Sequence, residues 1–280
     1  MREGSLVAFT LLTQAAVGAC WVALALRRGA GRAGVPEGAS GAIFLVALLA
    51  ALVGLAAAFL HLGRPSNAWR ALKNLRASWL SREILLASAF TAALGASAFL
   101  PLPGFASPFV RGFAEGLAAV FGLALLYAMA MAYRLRTVPA WDRATTNAAF
   151  VASTLGLGAL VAAAVFATAG GVHALPGFSL ARLVVVALAF HLFGVAAALF
   201  WLRGLAGGNR TERESLARMK AHPRLLRARF LLSALVLAAG VAALLSPGRA
   251  WPTVVACLLA FAAEAAGRVL FYEARVREGL

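Results

Sequence analysis

Ser40–Leu62 reads SGAIFLVALLAALVGLAAAFLHL, a run without a single Asp, Glu, Lys or Arg. About 20 consecutive apolar residues in helical conformation are needed to cross the hydrocarbon core of a bilayer, and this run meets that length. Working outward, the gaps between charged residues predict eight such spans, at about 4–26, 40–62, 84–100, 115–133, 146–169, 183–202, 230–245 and 251–272. The long gap between Arg143 and Arg182 divides in two because Gly170, Gly171 and Pro176 interrupt it. The expected fold is therefore an all-α polytopic membrane protein. It forms a single integral membrane domain over 1–280, with eight transmembrane helices in a bundle. Composition agrees: 62% of the 280 residues are hydrophobic, 13% are charged and mean hydropathy is +0.87. A soluble core of this size does not bury so much apolar surface, and disordered chains are poor in it.

The net charge of +16 takes its meaning from where the cations lie. If the eight spans alternate, twenty of the 26 Lys and Arg fall on the side of the two termini and six on the other. The positive-inside rule then predicts both termini in the cytoplasm, and the charge needs no nucleic acid partner. The first span is too long for the apolar part of a cleavable signal and no twin-arginine leader precedes it. Cys20 and Cys257 both lie in apolar runs, with no CxxC or CxxCH. The protein is therefore expected to hold no iron–sulfur cluster and no covalent haem by itself. His61 and His191 also differ in depth by roughly 15 Å at 1.5 Å per residue, which argues against a haem shared between them. No P-loop, HExxH or nucleophile elbow is present.

The stretch richest in chemistry is HLGRPSNAWRALKNLRASWLSRE, His61 to Glu83. Trp69, Leu72, Leu75 and Trp79 recur at helical spacing with Arg70, Lys73 and Arg76 between them. That pattern predicts a short amphipathic helix at the bilayer surface between helices 2 and 3. Ser81 is a candidate N-cap for the third span, placing Glu83 in its first turn. A helix lying flat returns the chain near its starting point, so His61 and Glu83 can flank one interfacial pocket. Such a pocket offers a group titrating near neutrality, a carboxylate, cations and aromatic walls, which suits an amphipathic proton-carrying ring such as a quinol. A plainer reading competes: His61 caps the carbonyls that end its helix, and Glu83 complements a helix N-terminus. Gln14 in the first span is either polar glue between helices or a wall of that pocket. Glu264 lies within the eighth span. Its partner is Arg268 one turn on or a group on another helix, and the two are candidates for structural pairing or proton relay. A transporter fits eight spans with a few buried polar groups, although no matched pair of broken helices marks a midplane site.

HLGRPSNAWRALKNLRASWLSREI (His61 to Ile84) resembles the signature of the membrane anchor subunits of dimethyl sulfoxide reductase-type complexes. RLRTVPAWD (Arg134 to Asp142) and EAAGRVLFYE (Glu264 to Glu273) resemble two further segments of that family. The resemblance spans the whole sequence and implies a complex iron–sulfur molybdoenzyme in the inner membrane of a bacterium. An iron–sulfur electron-transfer subunit and a molybdopterin catalytic subunit would dock on this anchor, which exchanges electrons with menaquinone or ubiquinone. It implies no haem in the anchor itself. By the family pattern, His61 and Glu83 carry quinol binding and oxidation, with Gly63, Arg64, Trp79 and Arg82 in the same motif. Similar anchors also serve sulfite-oxidising enzymes that reduce quinone, so the direction of electron flow stays open. The charge count places the His61 face in the cytoplasm, where its basic loops suit an acidic partner surface. A passive assembly anchor without a quinone site is the remaining alternative.

Overall fold

A computed structural model describes residues 2–33, 37–61, 73–99, 107–169 and 180–278. These residues form nine helices and no strand: α1 (Arg2–Ala33), α2 (Glu37–His61), α3 (Trp79–Phe99), α4 (Pro108–Tyr133), α5 (Ala144–Thr168), α6 (Leu180–Ala206), α7 (Arg210–Lys220), α8 (Pro223–Leu245) and α9 (Trp251–Glu273). All but α7 are long and apolar enough to cross a membrane, and each overlaps one of the eight expected spans, with α3, α4 and α8 starting five to seven residues earlier than expected.

Local signals explain where the helices begin. Ser107 Oγ accepts from the Val110 N–H ahead of α4, with Pro108 at the first helical position. α8 and α9 likewise carry Pro223 and Pro252 in their first two positions. Between them, Ser246 to Arg249 form a tight turn closed by a 3.2 Å bond from the Arg249 N–H to the Ser246 carbonyl. Its third residue, Gly248, has φ 97°, a value that a side chain would strain. Hydroxyls inside the spans donate back to their own helices, as Thr91 does to the Ala87 carbonyl and Thr154 to that of Phe150. In lipid no water would serve them instead.

Two corrections concern the start of the third span. Helix α3 begins at Trp79, not Ile84, and its cap is Ser78, not Ser81: the Ser81 N–H donates to Ser78 Oγ at 3.3 Å. Either serine has the chemistry for the role. Capping at Ser78 lets the apolar pair Trp79–Leu80 join the helix and carries Glu83 into its second turn. Of the expected interfacial helix, whose pattern runs from Trp69 to Trp79, residues 69–72 lie outside the described residues. The remainder ahead of α3 is not α-helical, since Lys73 and Asn74 are in 3₁₀ conformation and a turn follows.

The spans pack as two groups of four, α1–α4 and α5, α6, α8 and α9, with the same neighbour pattern in each. The first helix of each group packs on the second, the second on the third, the third on the fourth and the fourth on the first. The groups meet chiefly where α1 lies along α5, the two most deeply buried spans. Gly18 and Gly158 face each other across that seam. A Cβ at Gly18 would run into the Thr154 carbonyl, and one at Gly158 into the backbone of Gly18 and Ala19. Backbone cannot yield as a flexible side chain does, so both positions require glycine.

The extra helix, α7, lies outside the spans on the face that bears both termini, and the charge-gap reading of the sequence does not foresee it. It opens with a reciprocal capping box: the Glu212 N–H donates to Asn209 Oδ1 at 2.9 Å and the Asn209 N–H to Glu212 Oε2 at 2.9 Å. Glu212 also accepts from the Arg143 guanidinium, whose Nε lies 3.1 Å away, tying α7 to the start of α5. The C-terminal tail closes the same face, with the Glu278 N–H on the Thr137 carbonyl at 2.9 Å and Asn209 Nδ2 on Glu278 Oε1 at 2.8 Å.

The seam and the α7 cap can each be tested. Gly158→Ala should cost about 1–3 kcal/mol through overpacking and lower the thermal midpoint of the protein in mild detergent. Gly95→Ala, whose new Cβ would meet nothing nearer than Leu48 Cδ1 at 3.7 Å, should leave the midpoint unchanged or raise it. Equal midpoints for the two variants would mean that the seam is loose. At Glu212, partial burial opposes ionisation, but hydrogen bonds from Arg143 and the Asn209 backbone, with the Arg143 charge, outweigh that and hold the carboxyl below its ordinary value. Its stabilisation is therefore complete above the ordinary carboxylate range and is lost as pH falls through the depressed value. Amide exchange in α7, corrected for its intrinsic pH dependence, should lose protection in that acidic window. Glu212→Gln should flatten the dependence.

Candidate functional site

The face that bears the termini also carries all three segments of family-like sequence, and two of them are joined directly. In Arg134–Asp142, Val138, Ala140 and Trp141 are buried although they lie between helices. Trp141 stacks on Phe271 with ring centroids 5.1 Å apart and planes 15° apart, and its Nε1 donates to the Phe271 carbonyl at 2.7 Å. Trp201 Nε1 donates to the Ala140 carbonyl at 2.7 Å from α6. Tyr133, at the end of α4, shares a 2.9 Å hydroxyl–hydroxyl bond with Tyr272 of α9. An aromatic layer thus ties α4, α6 and α9 together below this face.

Glu83 of the first segment sits beside that layer. It is 3% exposed and lies within electrostatic reach of the Tyr133 and Tyr272 hydroxyls. Trp79, one turn earlier, meets Tyr127 edge-on at 5.5 Å. Arg82 is engaged on its own side of the site: its Cζ lies 4.2 Å from the centre of the Trp79 ring, Nε donates to the Leu75 carbonyl at 2.8 Å and Nη2 to that of Arg76 at 2.7 Å. These contacts fold the segment before α3 back onto the helix start. His61 is the last residue of α2, at the same face. Its side chain, and Gly63 and Arg64 altogether, lie outside the described residues.

A second polar group lies deeper, between the two helix quartets. Gln14, from α1, is 1% exposed and accepts from Arg268 Nη2 at 2.8 Å. Arg268 lies with its Cζ 3.8 Å from the centre of the Phe150 ring, a cation–π contact, and its Nη2 is 3.5 Å from Ser153 Oγ. Ser153 donates to Glu264 Oε2 at 2.7 Å, and Arg229 Nη1 donates to Glu264 Oε1 at 2.8 Å. The partner of Glu264 is thus on another helix, and Arg268 reaches across to α1 instead. Arg229, placed in a loop by the charge-gap reading, is not there. Helix α8 begins at Pro223, so Arg229 lies two turns inside it and is 6% exposed. At the opposite face, Arg27 is likewise inside a helix, paired with Glu115 and bonded to Ser40 through Nε at 3.1 Å.

Sequence reasoning missed Tyr133, Tyr272, Ser153 and Arg229. The signal for the two tyrosines was their place inside or beside the family-like segments; Ser153 and Arg229 carried none. Among the described residues, no three His, Cys, Asp or Glu come together in a way that could hold a metal ion.

Eight candidate spans, an aromatic layer and buried ionisable groups below one basic face define a multi-pass membrane protein built around polar chemistry. The family described as "DMSO reductase anchor subunit (DmsC)" matches residues 1–274, and the protein belongs to it. Its relatives include the C component of the anaerobic dimethyl sulfoxide reductase of Escherichia coli, 28% identical over 100% of this sequence and 97% of the relative. The YnfH component of an anaerobic dimethyl sulfoxide reductase of the same organism is 31% identical over 60% of this sequence and 59% of the relative. The C component of the sulfite dehydrogenase of Allochromatium vinosum is 60% identical over 42 residues, 15% of this sequence and 13% of the relative. No solved structure matched significantly.

Removing one partner of the buried pair should be severe. Arg229→Leu leaves the Glu264 carboxylate without its guanidinium, a loss of about 3–5 kcal/mol by the usual cost of an orphaned buried charge. The double variant Arg229→Leu/Glu264→Gln should recover most of the thermal stability in detergent. A single variant as stable as the parent would show that Glu264 does not depend on this pair.

Proposed function

We propose that the protein is the quinone-reactive anchor of a molybdopterin oxidoreductase. It would exchange electrons between the membrane quinone pool and an iron–sulfur subunit on which the catalytic subunit sits, with quinol oxidation the favoured direction. The observation that carries this reading is Glu83. A carboxylate 3% exposed, one turn inside the basic face and in no ion pair among the described residues, is costly in a membrane unless it serves chemistry. Tyr133, Tyr272 and Trp79 around it supply the aromatic surroundings that a hydroquinone ring fits, and α2 delivers His61 to the same face.

The quinol is the substrate of this half-reaction, supplying two electrons and two protons as it is oxidised to the quinone. His61, neutral before reaction, accepts a hydrogen bond and then the proton from one ring hydroxyl, and Glu83 accepts or relays the second. Trp79 walls the pocket. Arg82 holds the approach to α3, and Gly63 and Arg64 of the same motif join the quinone-binding set. Gln14, bonded to Arg268, contributes to quinone binding from the neighbouring helix. Arg210, Arg213, Arg224 and Arg227 are exposed on α7 and the start of α8 and offer an acidic partner surface a basic platform. On this reading the protein is one integral anchor domain in the inner membrane of a bacterium, with both termini and the His61 face in the cytoplasm, which the uneven distribution of Lys and Arg supports. The short, highly identical stretch shared with the sulfite dehydrogenase component favours a second reading in which the same site reduces quinone.

His61→Ala should abolish quinone-linked turnover of the assembled complex while the catalytic subunits keep their activity with an artificial dye. Glu83→Gln should slow turnover at least tenfold with little change in quinone affinity. Parallel loss of quinone- and dye-linked activity would assign His61 to assembly, and full turnover in Glu83→Gln would sink the proton role. Isolation of the tagged protein with molybdenum or tungsten and iron in the eluate tests the partners.

A further inference from the structure

His191 takes no part in the site at Glu83. It lies midway along α6 and is 5% exposed, its imidazole rests against the main chain of Ser233 on α8, and its Nε2 has no hydrogen-bond partner among the described residues. It lines a cavity of about 10 Å³ whose other polar walls are Ser153 and Glu264. The same two residues also line a second cavity of about 70 Å³, with Arg229 and Arg268. That cavity reaches Thr145 at the start of α5 and Met219 of α7, at the basic face. The Thr145 hydroxyl is buried there and has no hydrogen-bond partner among the described residues.

Volume decides what these spaces can hold. A water needs roughly 10–15 Å³ of such space and two to four polar partners, whereas an apolar cavity known to take benzene measures about 150 Å³. The smaller cavity therefore suits one water, with an imidazole nitrogen, a carboxylate and a hydroxyl around it. The larger suits a few waters and is too small for an aromatic ring. Two guanidiniums facing one carboxylate also call for a polar filling. Toward the opposite face the walls turn apolar, with Leu157, Leu160, Val184 and Ala187 closely packed. On α9 the next buried polar side chain in that direction, Thr253, is about 16 Å beyond Glu264 at 1.5 Å per residue.

We propose that His191, Glu264 and Ser153 form a hydrated proton-accepting site inside the bundle, reached through water from the basic face and closed toward the opposite one. One water donates to His191 Nε2 and to the Glu264 carboxylate. When a proton arrives, the water's O–H bond to Nε2 breaks as the N–H bond forms, and the water is reprotonated from the larger cavity; no electron moves. The site is a well rather than a channel, and it does not rest on the quinone reading.

The test is water-edited solid-state NMR on the full-length protein in bilayers with 15N-labelled histidine, the His191 signals being assigned by their loss in His191→Gln. The expected result is an unprotonated, acceptor-type Nε2 that gains magnetisation from water at least threefold faster than the Ala187 and Leu188 amides, observed with 15N-labelled alanine and leucine. Ala197→Phe, which fills the larger cavity, should reduce that transfer at least threefold; Ala149→Leu serves if that variant fails to fold. A protonated Nε2, or transfer as slow as at the two amides, overturns the proposal. So does an unchanged rate in a folded cavity-filling variant, since it removes the route from the basic face.

Discussion

The architecture depends on how closely α1 can approach α5. At Gly18 and Gly158 the two backbones touch without intervening side chains, and each helix quartet is arranged around its own member of this pair. In lipid there is little hydrophobic gain from bringing helices together, so close packing and buried polar bonds must hold the quartets. Both occur along this seam. One to three turns from the glycines toward the basic face, Gln14 of α1 and Ser153 of α5 meet Arg268 of α9, so the polar cluster is assembled only when the seam is closed.

The seam also explains why the buried charges sit where they do. Glu264, Arg229 and Arg268 belong to the second quartet, and Gln14 reaches them from the first. Glu83 belongs to the first quartet and reaches the Tyr133–Tyr272 pair, one member of which comes from each quartet. Polar chemistry is thus concentrated where the halves adjoin. The lipid-facing surfaces carry residues such as Leu123, Phe200 and Leu231, each more than 60% exposed.

Much of this was legible in one dimension. Span positions follow from the spacing of charges, because a charge in the bilayer core is costly wherever it lies along the sequence. The segment that supplies Glu83 and Trp79 stood out by its density of polar and aromatic residues, but the two tyrosines beside Glu83 come from α4 and α9. What sequence left open was partner choice. Glu264 has Arg268 one turn away, yet it bonds Arg229, because helix rotation points Arg268 at α1 and lays it on Phe150. Arg229 looked like a loop cation since it follows seven basic residues, but Pro223 starts the helix two turns earlier. Ser78 and Ser81 are equivalent as caps on paper, and only the observed bond from the Ser81 N–H to Ser78 Oγ separates the two.

The Gly18–Gly158 contact has a consequence for the making of the protein. Its two sides are separated by about 140 residues, which at about 5–20 residues per second is roughly 7–28 s of synthesis. Throughout that interval α1 waits in the bilayer with its narrow glycine face and Gln14 unmatched, held only by its own quartet. The first half must therefore be a durable assembly without the second. Any factor that shields polar groups of nascent membrane helices would find its natural client at Gln14, before α5 and α9 arrive to claim it.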